Sequence, residues 1–312
     1  MDVSVVIPLF NERDNLAPIH RELTTVLRSL NRSYEILFVD DGSIDGSADA
    51  LRQIKATDPQ VRVLRLARNT GQTAALACGL HCSRGAVVVA LDADGENDPA
   101  DIPRLLHRLE DGFDLVSGWR TARWLNARFT RRVPSVAANS LISWMTGVKL
   151  HDYGCTLKAY RGELARSLML YGEMHRFVPA IAAEQGARIT EIEVGFRPRR
   201  SGHSKYGPGR IVRTLLDLMT VKFLSGYSTR PIQVFGLLGI LMAGIGALWT
   251  AILVFEKVAL GDRLGNRPAL WLAVLLVVVG VQLVSLGLIG EMLARTYHES
   301  QGKPVYVIKE EF

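Results

Sequence analysis

The chain has 312 residues, enough for two average domains, and its apolar residues are concentrated towards the C-terminal end. Its formal net charge of +6 would suit a nucleic-acid partner. The surplus, however, lies beside the apolar segments and around residues 120–132. Three cysteines without a CxxC pair exclude a disulfide framework and are typical of a reducing compartment. We therefore expect anionic lipid and phosphate groups as partners, and no nucleic acid.

The first third of the chain alternates short β-branched runs with helical stretches. The runs are VSVVIPL, EILFVD, VRVLRLA and AVVVALDAD, and helices are predicted over 16–30, 46–56 and 71–83. Strands that are almost entirely apolar are typical of a parallel sheet covered by helices on both faces. The predicted fold class is therefore α/β with a mostly parallel sheet.

Acidic and turn-forming residues follow three of these runs. Parallel sheets bind ligands at the carboxyl ends of their strands, so these positions are the candidate site. Neither GxGxxG nor GxxxxGK[ST] occurs, which excludes the usual dinucleotide and P-loop phosphate cradles. An acidic edge needs a metal ion to bridge it to phosphate. The residues at the three ends are Pro8, Phe10, Asn11 and Glu12; Asp40 and Asp41; and Asp92, Asp94 and Glu96.

Asp92 and Asp94 are one residue apart at a predicted strand end. Such carboxylates point to opposite faces within a strand, but where the chain turns both can approach one ion. Hard oxygen ligands select Mg²⁺ or Mn²⁺. An Asp-x-Asp pair also occurs in exposed turns, and Asp40 could equally be a turn former that hydrogen-bonds its own backbone.

Further along the chain, DLVSGW leads into a basic stretch, and GCTLKAYR and ARITEIEVGFRPR are predicted as strands. A glycine-rich stretch over 202–209 is predicted to be a mobile loop. Residues 210–223 place apolar side chains at helical spacing with basic ones opposite, which is typical of an interfacial helix or of an ordinary surface-packed one.

Two segments, 232–255 and 269–290, contain no Asp, Glu, Lys, Arg or His and are each long enough to cross a bilayer. Seven basic residues flank the outer ends of this hairpin and three lie in its loop, which favours both termini on the cytoplasmic side. The N-terminal sequence MDVSVVIPLFNE does not have the pattern of a signal peptide. The expected boundaries are a sheet domain over 1–208, an interfacial helix over 209–228, two spans over 229–292 and a tail over 293–312.

The motifs VSVVIPLFNE, EILFVDDGSIDGS, RNTGQTAALACGL and VVVALDADGENDP resemble those of the inverting glycosyltransferases of family 2, which have the GT-A fold. The later motifs GWR, HDYGCTLKAYR, LYGEMHRFVPA and RRSGHSKYG are similar to those of polyprenyl-phosphate sugar transferases, the group of dolichyl-phosphate mannose synthase and bactoprenol glucosyltransferases. The resemblance covers almost the whole chain. It implies a multi-pass protein of the inner membrane with a cytoplasmic catalytic domain.

Matched position by position, the resemblance implies a role for each site residue. Glu96 matches a position that is often Gln, which leaves its direct metal role open, and Asp152 has either a sugar or acceptor role or a structural one. The roles of Glu173 and His175 stay open between the sugar pocket and packing. The resemblance implies that the nucleoside is contacted by Pro8, Phe10, Glu12, Val39 and Asp41, and that the metal ion is bound by Asp92, Asp94 and Glu96. It also implies that Arg120 contacts phosphate, that Arg131 contacts the acceptor phosphate, and that Arg199 and Lys205 close over the diphosphate.

The implied reaction is the inverting transfer of a hexose from a nucleotide sugar to undecaprenyl or another polyprenyl phosphate. UDP-glucose is the favoured donor, with GDP-mannose or another UDP-sugar as alternatives. A processive polysaccharide synthase is disfavoured because no QxxRW motif occurs, and a non-catalytic membrane scaffold because the Asp-x-Asp pair is intact. The tail sequence KPVYVI has strand character and could pair between subunits, as in tetrameric relatives, so a homotetramer is left open.

Overall fold

The computed structural model describes residues 1–121, 139, 142–143, 146–170, 174–197, 231–260, 268–300 and 306–312. Its strands are β1 (Val3–Leu9), β2 (Tyr34–Asp40), β3 (Val61–Leu66), β4 (Val87–Ala90), β5 (Leu115–Trp119), β6 (Lys158–Arg161), β7 (Ile189–Glu193) and β8 (Ile308–Glu311). Its helices are α1 (Arg13–Ser29), α2 (Ser47–Thr57), α3 (Gln72–Cys82), α4 (Ile102–Glu110), α5 (Gly162–Ser167), α6 (Val178–Glu184), α7 (Pro231–Leu260) and α8 (Pro268–Ser300).

All eight strands form one sheet in the order β7-β5-β6-β4-β1-β2-β3-β8. Pairing is parallel among β4, β1, β2 and β3 and between β5 and β7, whereas β6 and β8 run antiparallel to their neighbours. The predicted α/β class with a mostly parallel sheet is confirmed. Because β1, β2 and β4 point the same way, their carboxyl ends meet at one edge, where the acidic residues follow.

A proline lies inside the central strand β1, where a missing N–H would normally break the ladder. Pro8 pairs with Val39 of β2, but pairing with β4 ends at Val6, whose carbonyl accepts from the N–H of Leu91. Backbone groups two residues apart point to the same side, so the side of Pro8 that lacks an N–H faces the place where β4 has already ended. The proline thus opens a gap beside Leu91 and Asp92 without the loss of a strand pair.

Helix α3 packs against β1 and β2 through small residues. A methyl group at Gly79 would lie 2.2 Å from Cγ1 of Val6 and 3.1 Å from Cγ2 of Val39. Both valines are fully buried. The glycine therefore sets the distance at which α3 covers the sheet, next to the strand ends.

We predict that Gly79→Ala destabilises the sheet domain, because the added methyl overlaps a valine that cannot move aside. Overpacking of this kind costs about 1–3 kcal/mol, and a contact this short belongs at the upper end, above the gain of about 1 kcal/mol in helix propensity. Thermal unfolding of the purified protein should show a lower Tm. The matched control is Gly244→Ala in α7, where no atom would lie within 4 Å of the methyl, and an equal loss there would contradict the steric explanation.

The chain divides into two compact units, Met1–Leu218 with Pro304–Phe312, and Met219–Lys303. In the second unit α7 and α8 run antiparallel and approach closely at small residues. A methyl at Gly239 would lie 2.5 Å from the carbonyl oxygen of Gly280, and one at Gly246 would lie 2.7 Å from that of Ala273. Small residues at such contacts are typical of helices that associate in a membrane.

Both helices contain a segment long and apolar enough to cross a bilayer, Phe235–Glu256 and Pro268–Gly290. Only 17% of the most apolar window of each is buried, which distinguishes them from core helices of a soluble protein. Helix α8 runs to Ser300, beyond the predicted span boundary at 292, because no helix breaker occurs before Gly302 and Pro304. The predicted interfacial helix over 209–228 lies outside the described residues.

The C-terminal tail returns to the sheet. Strand β8 pairs antiparallel with β3 of the same chain, and Phe312 exchanges two backbone hydrogen bonds with Val63. Ion pairs join Arg52 to Glu310 and Arg62 to Glu311. The tail contains a strand, but it covers Ile308–Glu311 and shares only Ile308 with the predicted stretch KPVYVI, and it pairs with the chain's own edge strand.

Candidate active site

The turn after β4 holds the two aspartates that the sequence singled out. Gly95 adopts a φ of 75°, and the N–H of Glu96 donates to a carboxylate oxygen of Asp94 at 3.0 Å. Asp92 accepts a hydrogen bond from Nε2 of Gln72 at 2.8 Å and another from the hydroxyl of Thr156. Both carboxylates are thus oriented by neighbouring groups at one strand end.

The environment of this pair is unfavourable to two bare negative charges. Burial and the neighbouring carboxylate of Asp94 raise the pKa of Asp92 well above its ordinary value, although Thr156, Arg120 and Gln72 act in the opposite direction. A cation placed between such carboxylates would remove their repulsion and hold both ionised. The pair therefore has the chemistry of a site for a hard divalent ion.

A buried ion pair lies beside the aspartates. Nε of Arg120 donates to Oδ2 of Asp152 at 2.8 Å, and Nη2 donates to Oδ1 at 3.2 Å. Both residues are nearly inaccessible to solvent. Burial opposes the charge of the guanidinium, but Asp152 outweighs it and raises the pKa of Arg120. Nη1 of Arg120 lies 3.6 Å from Oε2 of Glu96, so one arginine links the two acidic motifs.

The segment 152–158 closes the site from the side of β6. Nδ2 of Asn97 donates to the hydroxyl of Thr156 at 2.8 Å, which ties this segment to the turn after β4. Lys158, the first residue of β6, is buried, and its ammonium donates to the carbonyl oxygens of Cys155 and Tyr153. Burial lowers the pKa of Lys158, and the opposing effect of Cys155, Asp152 and Asp92 only partly offsets it.

The charges of the cluster can be counted. With all groups ionised, the carboxylates of Asp92, Asp94, Glu96 and Asp152 give four negative charges, and Arg120 with Lys158 gives two positive ones. Four minus two leaves these described residues with a surplus of two negative charges, which favours a cation. Among the described residues, no group of three or more His, Cys, Asp or Glu side chains is placed to hold a metal ion together. The protein thus offers the aspartate pair. The carboxylate of Glu96 lies 3.6 Å from Nη1 of Arg120, and its role as a metal ligand stays a prediction.

The residues after β2 hold the loops of the edge together. Asp41 accepts from the N–H and hydroxyl of Thr70 and from the N–H of Gly71, all within 2.9 Å. Asp40 accepts from the N–H of Ser43 at 2.8 Å, so its role as a turn former is confirmed. Both carboxylates are buried, and the bonds of Asp41 give it a positioning role in addition to its predicted nucleoside contact.

The loop after β1 is fixed in a similar way. The side-chain oxygen of Asn11, a residue with a φ of 57°, accepts from the N–H of Ile44, and the carboxylate of Glu12 accepts from Asn15. Phe10 and Glu12 remain partly exposed, whereas Val39 is fully buried under α3. Phe10 and Glu12 are therefore accessible to a ligand, whereas the Val39 side chain packs inside the domain.

His175 lies close to the aspartates, with Nδ1 2.8 Å from the hydroxyl of Thr73 at the start of α3. It lines a small cavity together with Pro8, Gln72, Asp92 and Lys158. The sequence leaves the role of His175 open and predicts no site role for Gln72, Thr156 or Lys158. These three residues belong to the motifs GQT and GCTLK, but a motif alone does not predict contacts between segments so distant in the chain. The predicted Arg131, Glu173, Arg199 and Lys205 lie outside the described residues.

Comparison with known proteins agrees with this arrangement. Residues 4–169 match glycosyl transferase family 2. The chain is 40% identical to the dodecaprenyl-phosphate galacturonate synthase of Rhizobium johnstonii, over 100% of this chain and 93% of that protein. It is 38% identical to the undecaprenyl-phosphate 4-deoxy-4-formamido-L-arabinose transferase of Pseudomonas fluorescens, over 98% and 89%.

Among solved structures, the glucosyl-3-phosphoglycerate synthase of Mycobacterium tuberculosis, in complex with Mn²⁺, UDP and phosphoglyceric acid, is similar with a TM-score of 0.54. The match has 21% identity and covers 72% of this chain and 78% of that one. This likeness supports the GT-A fold of the sheet domain. Together with the strand-end aspartates and the near full-length relatives, it leads to one conclusion: the chain belongs to glycosyltransferase family 2 and is a glycosyltransferase whose relatives are polyprenyl-phosphate sugar transferases.

Proposed function

We propose that the protein transfers a sugar from a nucleotide sugar to a polyprenyl phosphate, such as undecaprenyl phosphate, with inversion at the anomeric carbon. The observation that carries the proposal is the aspartate pair beside the buried Arg120–Asp152 ion pair, in a chain that also has two membrane-length helices. Relatives named for this reaction match it over nearly its whole length. We place the catalytic domain on the cytoplasmic face of the inner membrane.

The acceptor needs little activation. A phosphate monoester has a second pKa of about 6, so the lipid phosphate is already largely a dianion at cytoplasmic pH. The site must instead hold this oxygen in line with the anomeric carbon and screen two negative groups from each other. Inversion follows from a single in-line displacement, in which the phosphate oxygen bonds to the anomeric carbon as the bond to the nucleoside diphosphate breaks.

Different residues of the site would bind the ion, the donor and the acceptor. Asp92 and Asp94 would hold Mg²⁺ or Mn²⁺, which when bound neutralises the donor diphosphate and the charge that grows on it as the sugar leaves. Arg120, fixed by Asp152, presents a guanidinium of the kind that suits phosphate oxygens. Pro8, Phe10, Glu12 and Asp41 border the proposed nucleoside site. By the family resemblance, Arg131 receives the acceptor phosphate, and Arg199 with Lys205 closes over the diphosphate.

The proposal also concerns which sugar is transferred. The two-span architecture inclines us to a uridine-linked hexose such as UDP-glucose, whereas the two relatives described above are named for galacturonate and for a formamido-arabinose. GDP-mannose is the alternative from the guanosine class. A thermal-shift screen of these donors with Mg²⁺ or Mn²⁺ should identify the one that stabilises the protein most, because a ligand that binds only the folded state raises Tm.

The reaction itself is tested with the purified full-length protein, the donor selected by that screen, Mn²⁺ or Mg²⁺, and undecaprenyl phosphate. We expect a lipid-linked sugar that appears only when both substrates are present. No product from any of the donors would count decisively against the proposal, and a polymer instead of a single transferred sugar would favour a processive synthase. The mass of the detergent-solubilised protein tests the homotetramer, which stays a proposal.

A further inference from the structure

A buried lysine lies next to the acidic turn, although no role was predicted for it. Lys158 pairs in register with Ala90 of β4, two residues before Asp92, and only 3% of its surface is exposed. Lysine is almost never buried to this extent unless its charge is matched. Its position near the carboxylates of Asp92 and Asp152 therefore needs an explanation within the site.

The ammonium of Lys158 is directed at the turn that joins the two halves of the site. It donates to the carbonyl oxygens of Tyr153 and Cys155. Asp152, at one end of this turn, binds Arg120, and Thr156, at the other end, donates to Asp92. The contacts of Asp152 with Arg120 and of Thr156 with Asp92 therefore both depend on a turn that the ammonium of Lys158 holds by hydrogen bonds.

The same ammonium acts on the charge of the aspartates. In the part of the chain that the structure describes, Lys158 forms no ion pair with a carboxylate, yet Asp152 and Asp92 are near enough to influence its charge. Lys158 and Asp92 also line one cavity of about 20 Å³, which has room for a single water molecule. The lysine therefore faces Asp92 across a narrow gap, and its charge offsets part of the negative charge at the aspartate pair.

We propose that Lys158 is a positioning residue that holds the 152–156 turn and weakens the binding of a bare divalent ion, so that tight binding requires the oxygens of the donor diphosphate. This inference rests on the proposed function, because it takes Asp92 and Asp94 as the ion ligands. Without the lysine, the described residues of the cluster would carry one more surplus negative charge. A more negative site binds a bare cation more tightly.

The test compares Lys158→Met, which removes the charge, with Lys158→Arg, which keeps it, in the full-length protein. Binding of Mn²⁺ is measured by calorimetry with and without UDP. In Lys158→Met we expect the Kd for Mn²⁺ alone to fall by about fivefold or more, the tightening by UDP to shrink, and turnover to slow. Lys158→Arg should bind Mn²⁺ as the unmodified protein does.

A lysine with a merely structural role would give the opposite result, since a loosened site binds the ion more weakly. Unchanged or weaker Mn²⁺ binding in folded Lys158→Met would overturn the inference. If that variant does not fold, Lys158→Gln carries the same expectation, because its amide can still donate to a carbonyl without a charge. Loss of Mn²⁺ binding in Asp94→Asn tests the ion site of the proposed function separately, so the failure of one proposal is distinguishable from that of the other.

Discussion

Replacement of Asp94 with asparagine should reduce sugar transfer by about a thousandfold or more, because the ion that it helps to hold supplies several kcal/mol of transition-state stabilisation. Asp94→Asn removes the charge but can still accept the hydrogen bond from the N–H of Glu96. The turn should therefore keep its shape. The measurement is the rate of lipid-linked sugar formation, together with Mn²⁺ binding by calorimetry.

Three comparisons separate lost chemistry from lost structure. Asp94→Ala, which also loses the turn hydrogen bond, should be equally inactive and somewhat less stable. Asp111→Ala removes a carboxylate from the protein surface, where it pairs with Arg108, and should leave transfer unchanged. Without added ion, the Tm of Asp94→Asn should equal or exceed that of the unmodified protein, because the substitution removes the repulsion with Asp92. Activity retained in Asp94→Asn would show that the metal site is wrongly assigned.

Much of the sheet could be predicted because its strands are buried on both faces. The runs that begin at Val3 and Tyr34 are mostly apolar and buried, and their short length and β-branched residues favour strands over helices. Once the strand boundaries are predicted, the positions of the aspartates at the strand ends are predicted too. The antiparallel pairing of β6 with β4 could not be predicted, because strand register and order depend on contacts between residues far apart in the chain.

The dependence on contacts between distant residues also explains which site residues could not be predicted from the sequence. Lys158 occurs in a sequence, GCTLKAYR, that predicts a strand, but its ammonium matters only because β6 lies beside β4. Asp41 shows the converse: its position predicted a ligand contact, and the structure reveals that its carboxylate also holds the Thr70–Gly71 loop. In the tail, the apolar stretch KPVYVI predicted a strand, but the strand formed is Ile308–Glu311, because pairing with β3 and the ion pairs of Glu310 and Glu311 fix its position.

The Arg120–Asp152 pair leads to the second large effect, on stability. We expect Asp152→Ala to destabilise the sheet domain by about 3–5 kcal/mol, because it leaves a buried guanidinium without its bidentate partner. Glu96, at 3.6 Å, can compensate only in part. Chemical unfolding of the purified protein measures the loss. The exposed pair Arg108–Asp111 is the matched control, and its disruption should cost at most about 1 kcal/mol.

The double variant Arg120→Met with Asp152→Leu distinguishes the cost of an unpaired charge from the value of the pair. Replacement of both buried charges by apolar side chains of similar volume is often nearly neutral, so the double variant should be more stable than Asp152→Ala alone. If Arg120 contacts phosphate as proposed, this restored protein should still be inactive. If the double variant lost as much free energy of unfolding as the two single substitutions lose in sum, the explanation by an unpaired buried charge would be contradicted. Activity in the stable double variant would instead limit Arg120 to a structural role and leave the donor diphosphate to the aspartate-bound ion.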